Sequence, residues 1–186
     1  ACSVPIHYAV GEVDPRFGSW IDVEALSRDY ELTADFMINH ISRRSPQFED
    51  FLARGPDSAY ADLFIRYSEF WPGGAPTREQ LDAIYTRKPR DPYVELTFED
   101  GTSEQVWCTF DSEQIDLKWD GQETRRFARE TLQQLCERGV SMIRLDAFAY
   151  ASKRAGSNCF FVEPEVWEIL DFARSVTAAY GVSVLP

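Results

Sequence analysis

The period of the apolar positions changes along the chain, and the changes divide it. In SWIDVEALSRDY, 19–30, Ile21, Ala25 and Leu26 fall on one side at helical spacing, and Ser19 followed by Asp22 supplies a capping-box start. LTADFMINH, 32–40, is a short and mostly apolar run, the pattern of a buried parallel strand. From 41 to about 121 regular periodicity gives way to prolines, the Gly73-Gly74 pair, aromatics and acids. Inside that stretch YVELTFEDGTSEQVWCTF predicts a hairpin, with Val94, Leu96 and Phe98 alternating with polar positions and Asp100-Gly101 at the turn. The stretch is too aromatic to remain solvated, so it reads as an inserted subdomain.

Helical spacing returns after Gly121. QETRRFARETLQQLCERG puts Phe127, Ala128, Thr131, Leu132, Leu135 and Cys136 along one side and stops at Gly139. VSMIRLDAF reads as a strand, EPEVWEILDFARSVTAAYG as a helix with Pro164 near its first turn and Gly181 at its end, and VSVLP as the start of another strand. Strands joined by helices imply a parallel sheet with right-handed crossovers, in a barrel or a doubly wound sheet.

Two charges interrupt the apolar run at 141–150. Side chains alternate along a strand, so Ile143, Leu145 and Ala147 point one way and Arg144 and Asp146 the other, near the strand's C-terminal end. That end of a parallel sheet is where active sites are built. Asn39 and His40 close the C-terminal end of the preceding strand, at the same edge. Strand logic leaves two readings open, a structural ion pair beside a satisfied loop histidine, or a reactive carboxylate. An arginine beside a carboxylate favours its ionised form, as a nucleophilic carboxylate requires.

Bulk properties narrow the chemistry. The formal net charge of -12 over 186 residues argues against a nucleic-acid or membrane-surface binder. No run approaches the roughly 20 apolar residues that cross a bilayer. Cys2, Cys108, Cys136 and Cys159 are widely spaced with no CxxC pair, so neither a zinc site nor a disulfide scaffold is expected, and a reduced, cytoplasmic protein is. Cys108 and Cys136 read as buried thiols.

DFMINH resembles the first short motif of the α-amylase superfamily, and IRLDAFAY its second, whose R-x-D carries a nucleophile. EVDPRFGSWIDVEAL, INHISRRSPQFEDFL, FWPGGAPTREQLDAIYTRKPR, VWCTF, QIDLKW and IRLDAFAYASKRAGSNCF are similar to the sucrose phosphorylase branch, over nearly the whole chain. The resemblance implies a partial (β/α)8 barrel, third to fifth strands with their helices. Residues 1–40 and 122–186 would be barrel segments and 41–121 an inserted B domain. It implies that Asp146 is the nucleophile that forms a glucosyl-enzyme, that Arg144 holds it ionised, that His40 hydrogen-bonds the sugar, and that Phe110 and Tyr150 wall the site, Phe110 reading equally well as a core residue of the subdomain. The expected reaction is double displacement with retention, phosphate intercepting the glucosyl-enzyme.

Phosphate needs local positive charge. Arg87 and Lys88, with Arg90, form the most basic cluster of the insertion and are the candidates for phosphate or an anionic acceptor. Arg43 and Arg44 are weaker ones. A solvated basic loop tip is the competing reading for the cluster of Arg87, Lys88 and Arg90. Asn39 matches a position that holds calcium in the amylases proper, but the phosphorylase branch implies no metal or other cofactor. His7 is assigned no role.

The family's general acid would come just after Pro186, and the chain begins at Ala1, so a fragment inactive by itself is expected. The expected partners are a sugar substrate and phosphate, with self-association through apolar edges from Met37 and Ile38 to Val182 and Val184. The acceptor (fructose, its phosphate, glycerate or glycerol) is left open. Competing functions are a hydrolase or transglucosidase of the same superfamily, or a carbohydrate-binding remnant.

Overall fold

The computed structural model describes residues 12–186, so Cys2 and His7 lie outside the described residues. Helix α1, Trp20–Leu26, begins with the expected capping box, in which the Asp22 carboxylate accepts from the Ser19 backbone N–H at 2.7 Å. None of its residues is buried, and the face carrying Ile21 (76% exposed) and Leu26 (51%) lies open. Strand β1, Leu32–Met37, follows. It is less buried than its composition predicts, because Phe36 alone is covered while Thr33 and Asp35 are exposed. The physical reason is position: β1 is an outer strand of its sheet, and the face carrying Thr33 and Asp35 is not packed over.

Strand β2, His40–Ser42, leads away from the sheet, and helix α2, Pro46–Arg54, starts with Ser45 accepting from the Phe48 N–H at 3.2 Å. Two short helices, α3 (Tyr67–Phe70) and α4 (Arg78–Asp82), precede the hairpin of β3 (Tyr93–Thr97) and β4 (Ser103–Trp107). Its turn is built as expected: Gly101 takes a φ of +84°, and the Asp100 carboxylate accepts from the Thr102 N–H at 2.9 Å. Strand β5, Gln114–Asp116, returns antiparallel to β2, with His40 opposite Asp116. Most aromatics of this stretch are packed inside, Tyr85 being the exposed one. Trp107 is 1% exposed and lies against Tyr67, Phe70 and Trp71, with ring centroids 5.5, 5.1 and 6.1 Å away.

Helix α5, Gln122–Glu137, buries Phe127, Ala128, Thr131, Leu132 and Cys136, the face its spacing predicts. The polar member is satisfied locally, Thr131 Oγ1 donating to the Phe127 carbonyl at 2.9 Å. Gly139 ends the segment with φ +84°, and a Cβ there would lie 2.3 Å from Ser27 Oγ, so both conformation and space call for glycine. Strand β6, Val140–Asp146, then α6, Glu165–Thr177, and β7, Ser183–Leu185, complete the chain. The three parallel strands lie in the order β1-β6-β7. Parallel strands with helices on one side and an insert leaving the end of β1 form part of a (β/α)8 barrel.

The described cysteines, Cys108, Cys136 and Cys159, are buried free thiols. Among the described residues no helix is long and apolar enough to cross a membrane. The open apolar surface differs from the one expected. Ile38 is fully buried and Met37, Val182 and Val184 are half-buried, whereas Phe17, Ile21, Leu26, Tyr30 and Leu185 are exposed. Ile38 is covered because its backbone joins the sheet to the insertion: its N–H donates to the Asp146 carbonyl, and its own carbonyl accepts from Trp119 Nε1 at 2.8 Å.

Candidate active site

Strand β6 presents its two faces as alternation requires. Ile143 and Leu145 are buried against the helices, while Arg144 and Asp146 turn to the open face. Parallel pairing sets Asp35 of β1 opposite Arg144, and Met37 opposite Asp146. The Arg144 guanidinium therefore serves two carboxylates. Nε and Nη2 each donate to Asp35 at 2.7 Å, and Nη2 lies 3.3 Å from Asp146 Oδ1. The Arg144 hydrogen bond holds the Asp35 carboxyl below the ordinary carboxylate range, against a smaller opposing effect of burial.

Just past β6, Ala147 adopts a left-handed backbone (φ +59°) and the chain folds into the turn Phe148–Tyr150. Asp146 and that turn lie in an open cleft of about 700 Å³ that His40, Tyr85, Phe110 and Tyr150 also line. The aromatic rings form a continuous wall. His40 and Phe110 are 5.2 Å apart between centroids, Phe110 and Tyr150 5.0 Å, Tyr150 and Phe160 4.9 Å, and Phe160 and Tyr85 4.6 Å. Flat apolar walls beside a carboxylate and a guanidinium suit a ligand with C–H faces and hydroxyl edges.

Under this wall lies a buried polar network. Lys153 and Asp116 pair at 2.7 Å, with side chains 3% and 0% exposed. The ammonium also donates to the Tyr150 carbonyl at 2.6 Å and to Asn39 Oδ1 at 3.0 Å. Asp116 accepts from the Thr109 N–H and hydroxyl at 2.9 and 2.6 Å. A buried pair of this kind survives desolvation only when its remaining donors and acceptors are matched, and stranding either partner typically costs about 3–5 kcal/mol. A divalent cation at Asn39 does not fit this arrangement, because the Lys153 ammonium takes up the Asn39 and Asp116 oxygens and would repel it.

His40 stands on this network, 5% exposed. Burial pushes the imidazole below its ordinary pKa and favours the neutral ring; the nearby Asp116 and Asp146 oppose that, and Lys153 supports it. Its Nδ1 lies 3.2 Å from the Asn39 amide, and its Nε2 2.8 Å from the Gln114 amide.

Six of the residues singled out in the sequence, Asp146, Arg144, His40, Phe110, Tyr150 and Arg87, are brought to one cleft. Lys88 is not, being exposed and away from its lining. Arg87 lines the cleft with Tyr85 and Tyr150; burial raises the Tyr150 pKa and the Arg87 charge opposes that rise. Arg90 turns away, its Nη1 donating to the Tyr93 carbonyl and lying 3.4 Å from Cys108 Sγ. Arg43 and Arg44 do not line the cleft. Asp35, Gln114 and Lys153 were missed as functional candidates. Only Asp35 carried a signal, being the first residue of the DFMINH run.

Residues 8–168 match the family described as "Alpha amylase, catalytic domain". The chain is 48% identical over 182 residues to a sucrose phosphorylase of Streptococcus mutans, covering 98% of this chain and 37% of that one. It is 43% identical over 175 residues to a glucosylglycerol phosphorylase of Marinobacter adhaerens, covering 94% and 36%. The crystal structure of a sucrose 6F-phosphate phosphorylase from Thermoanaerobacter thermosaccharolyticum superposes with a TM-score of 0.90 at 39% identity, covering 97% of this chain and 37% of that one. The chain thus spans little more than a third of the length of these relatives.

Proposed function

Because the chain belongs to the α-amylase family, in its sucrose-phosphorylase-like branch, we propose that it carries the nucleophile half of a retaining glucosyl phosphorylase. Residues 41–121 are taken as the B domain and the flanking segments as the third to fifth strands of the barrel. Asp146 attacks the anomeric carbon of a bound glucoside, while a carboxylic acid supplied from elsewhere in the protein protonates the departing oxygen. The C1–O bond breaks as the Asp146–C1 ester forms. A phosphate oxygen then attacks C1 from the opposite face, giving α-glucose 1-phosphate and returning the carboxylate. Arg144 orients Asp146, His40 binds a sugar hydroxyl, and Phe110 and Tyr150 pack on the ring.

The observation that carries the reading is Asp146 lying 3.3 Å from Arg144 in a cleft walled by His40, Phe110 and Tyr150. The three relatives are named for different glucosides and share phosphorolysis, which supports phosphate as the acceptor of the glucosyl group. Arg87 is the cation of the basic loop placed to meet phosphate or an anionic leaving sugar, because it reaches the cleft wall at Tyr150. Lys88 keeps at most a long-range electrostatic part.

The test is release of glucose 1-phosphate from sucrose, glucosylglycerol or sucrose 6F-phosphate by the complete protein. Release that requires phosphate and disappears in Asp146→Asn is the expected result. Free glucose formed at the same rate without phosphate would mean a hydrolase, and the proposal would be wrong.

A further inference from the structure

We propose that Lys153 is a positioning residue for His40, acting through Asn39 to keep the ring proton on Nε2, so that the imidazole offers the cleft an N–H donor. The sugar-binding part of this rests on the function proposed above; the tautomer itself does not.

The argument is one of hydrogen-bond polarity. An ammonium donates three hydrogen bonds and accepts none. The three of Lys153 go to Asp116 Oδ2, the Tyr150 carbonyl and Asn39 Oδ1, at 2.7, 2.6 and 3.0 Å. Asn39 is therefore held with its oxygen towards Lys153 and its NH₂ towards His40 Nδ1, 3.2 Å away. A neutral imidazole has one donor nitrogen and one acceptor. Nδ1 accepts from Asn39, so the proton sits on Nε2. The Gln114 side-chain nitrogen lies 2.8 Å from Nε2, and two amides cannot both donate to this ring. Asn39 is the one pinned by a charge, so it is Gln114 whose amide must turn over to accept from the Nε2–H, and it is the group a sugar hydroxyl replaces.

Among the described residues no other partner of the ring is pinned by a charge, since Gln114 can present either end of its amide to Nε2. Turning the Asn39 amide over would let Nδ1–H donate to it and leave Nε2 as the acceptor, with the same number of bonds to the ring. Only the fixed positive charge on the far side of Asn39 distinguishes the two arrangements. That charge is itself held in place: Asp116 lies opposite His40 in the β2–β5 pair, and its carboxylate is further fixed by Thr109. Burial keeps the ring neutral, which is the condition under which the tautomer matters.

Nitrogen NMR of histidine-labelled protein reads the tautomer directly, since protonated and bare ring nitrogens resonate far apart; this chain has two histidines, His7 and His40. The expected result is Nε2–H with bare Nδ1. In Asn39→Asp, which keeps Lys153 and Asp116 paired, the new carboxylate accepts on both sides and His40 turns to Nδ1–H. In Lys153→Met combined with Asp116→Asn, both tautomers are populated. A wild-type ring with its proton on Nδ1, or an Asn39→Asp protein still holding it on Nε2, overturns the proposal. In a turnover assay Asn39→Asp should raise KM for the glucoside at least tenfold. An unchanged KM with an inverted tautomer would count against His40 as a sugar ligand and leave the role of Lys153 standing.

Discussion

Replacing Asp35 by asparagine tests whether the Arg144 fork is an anchor for catalysis or a surface ion pair. Arg144 spends two bonds of 2.7 Å on Asp35 and stands 3.3 Å from Asp146. Asparagine keeps the size of the side chain and removes its charge, so Asp146 becomes the guanidinium's better partner. At 3.3 Å two unit charges attract by about 1 kcal/mol in a water-like medium and about 5 kcal/mol at an effective dielectric constant near 20. Arg144 is 46% exposed and Asp146 37%, so the lower figure applies. Even that is enough to favour a fork of Arg144 on Asp146, which would occupy the oxygens proposed to attack carbon.

A displacement of about 1 Å at a reacting atom costs on the order of 100-fold in rate, or about 2.7 kcal/mol of transition-state stabilisation. Folding stability should fall by no more than about 1 kcal/mol, because the Asp35–Arg144 pair is itself nearly half exposed. The assay is glucose 1-phosphate formation by the complete protein, beside urea unfolding of the same preparation. The expected signature is a loss of about 100-fold in kcat/KM with stability nearly unchanged. Activity within threefold of wild type would refute the anchoring argument.

Three further outcomes follow from the structure. Gly139→Ala places a Cβ 2.3 Å from Ser27 Oγ at a left-handed φ, and should cost about 2–4 kcal/mol in urea unfolding, part of it recovered by Ser27→Gly. The folded pKa of His40 lies below the 6.5 of a free ring, so the unfolded chain takes up the proton first as pH falls; stability should be full above pH 6.5 and decline from there towards the folded pKa, a dependence absent in His40→Gln. Phe17, Ile21, Leu26, Tyr30 and Leu185 are exposed, and β1 and β7 are the outer strands of the parallel sheet, so this 186-residue chain should self-associate; a monomer independent of concentration in sedimentation would count against that.

The elements legible in the sequence were those whose signal is local. α5 and α6 followed from 3.6-residue spacing and terminal glycines, the hairpin from Asp100-Gly101 between alternating runs, and the common direction of Arg144 and Asp146 from two-residue alternation. Periodicity reports a face, and it overstated how much of α1 and β1 is covered, because coverage depends on what packs on that face. In the basic loop no periodicity existed to decide which cation turns inward, and Arg87 rather than Lys88 reached the cleft.

What the sequence could not supply was partnership across long separations. Asp35 and Arg144 are 109 residues apart, Asn39 and Lys153 114, and His40 and Gln114 74, and each meeting is fixed by strand register or by the return of the insertion. Two of the three residues in question are also chemically quiet when read alone. Lys153 looks like a surface lysine, and Gln114 like loop filling before a short strand. They acquire meaning because one is a permanent donor sealed against a carboxylate, and the other covers the nitrogen whose protonation that donor decides. The carboxylate proposed as nucleophile could be singled out from two-residue spacing, whereas the groups proposed to aim its neighbours depend on a backbone that first brings them into contact.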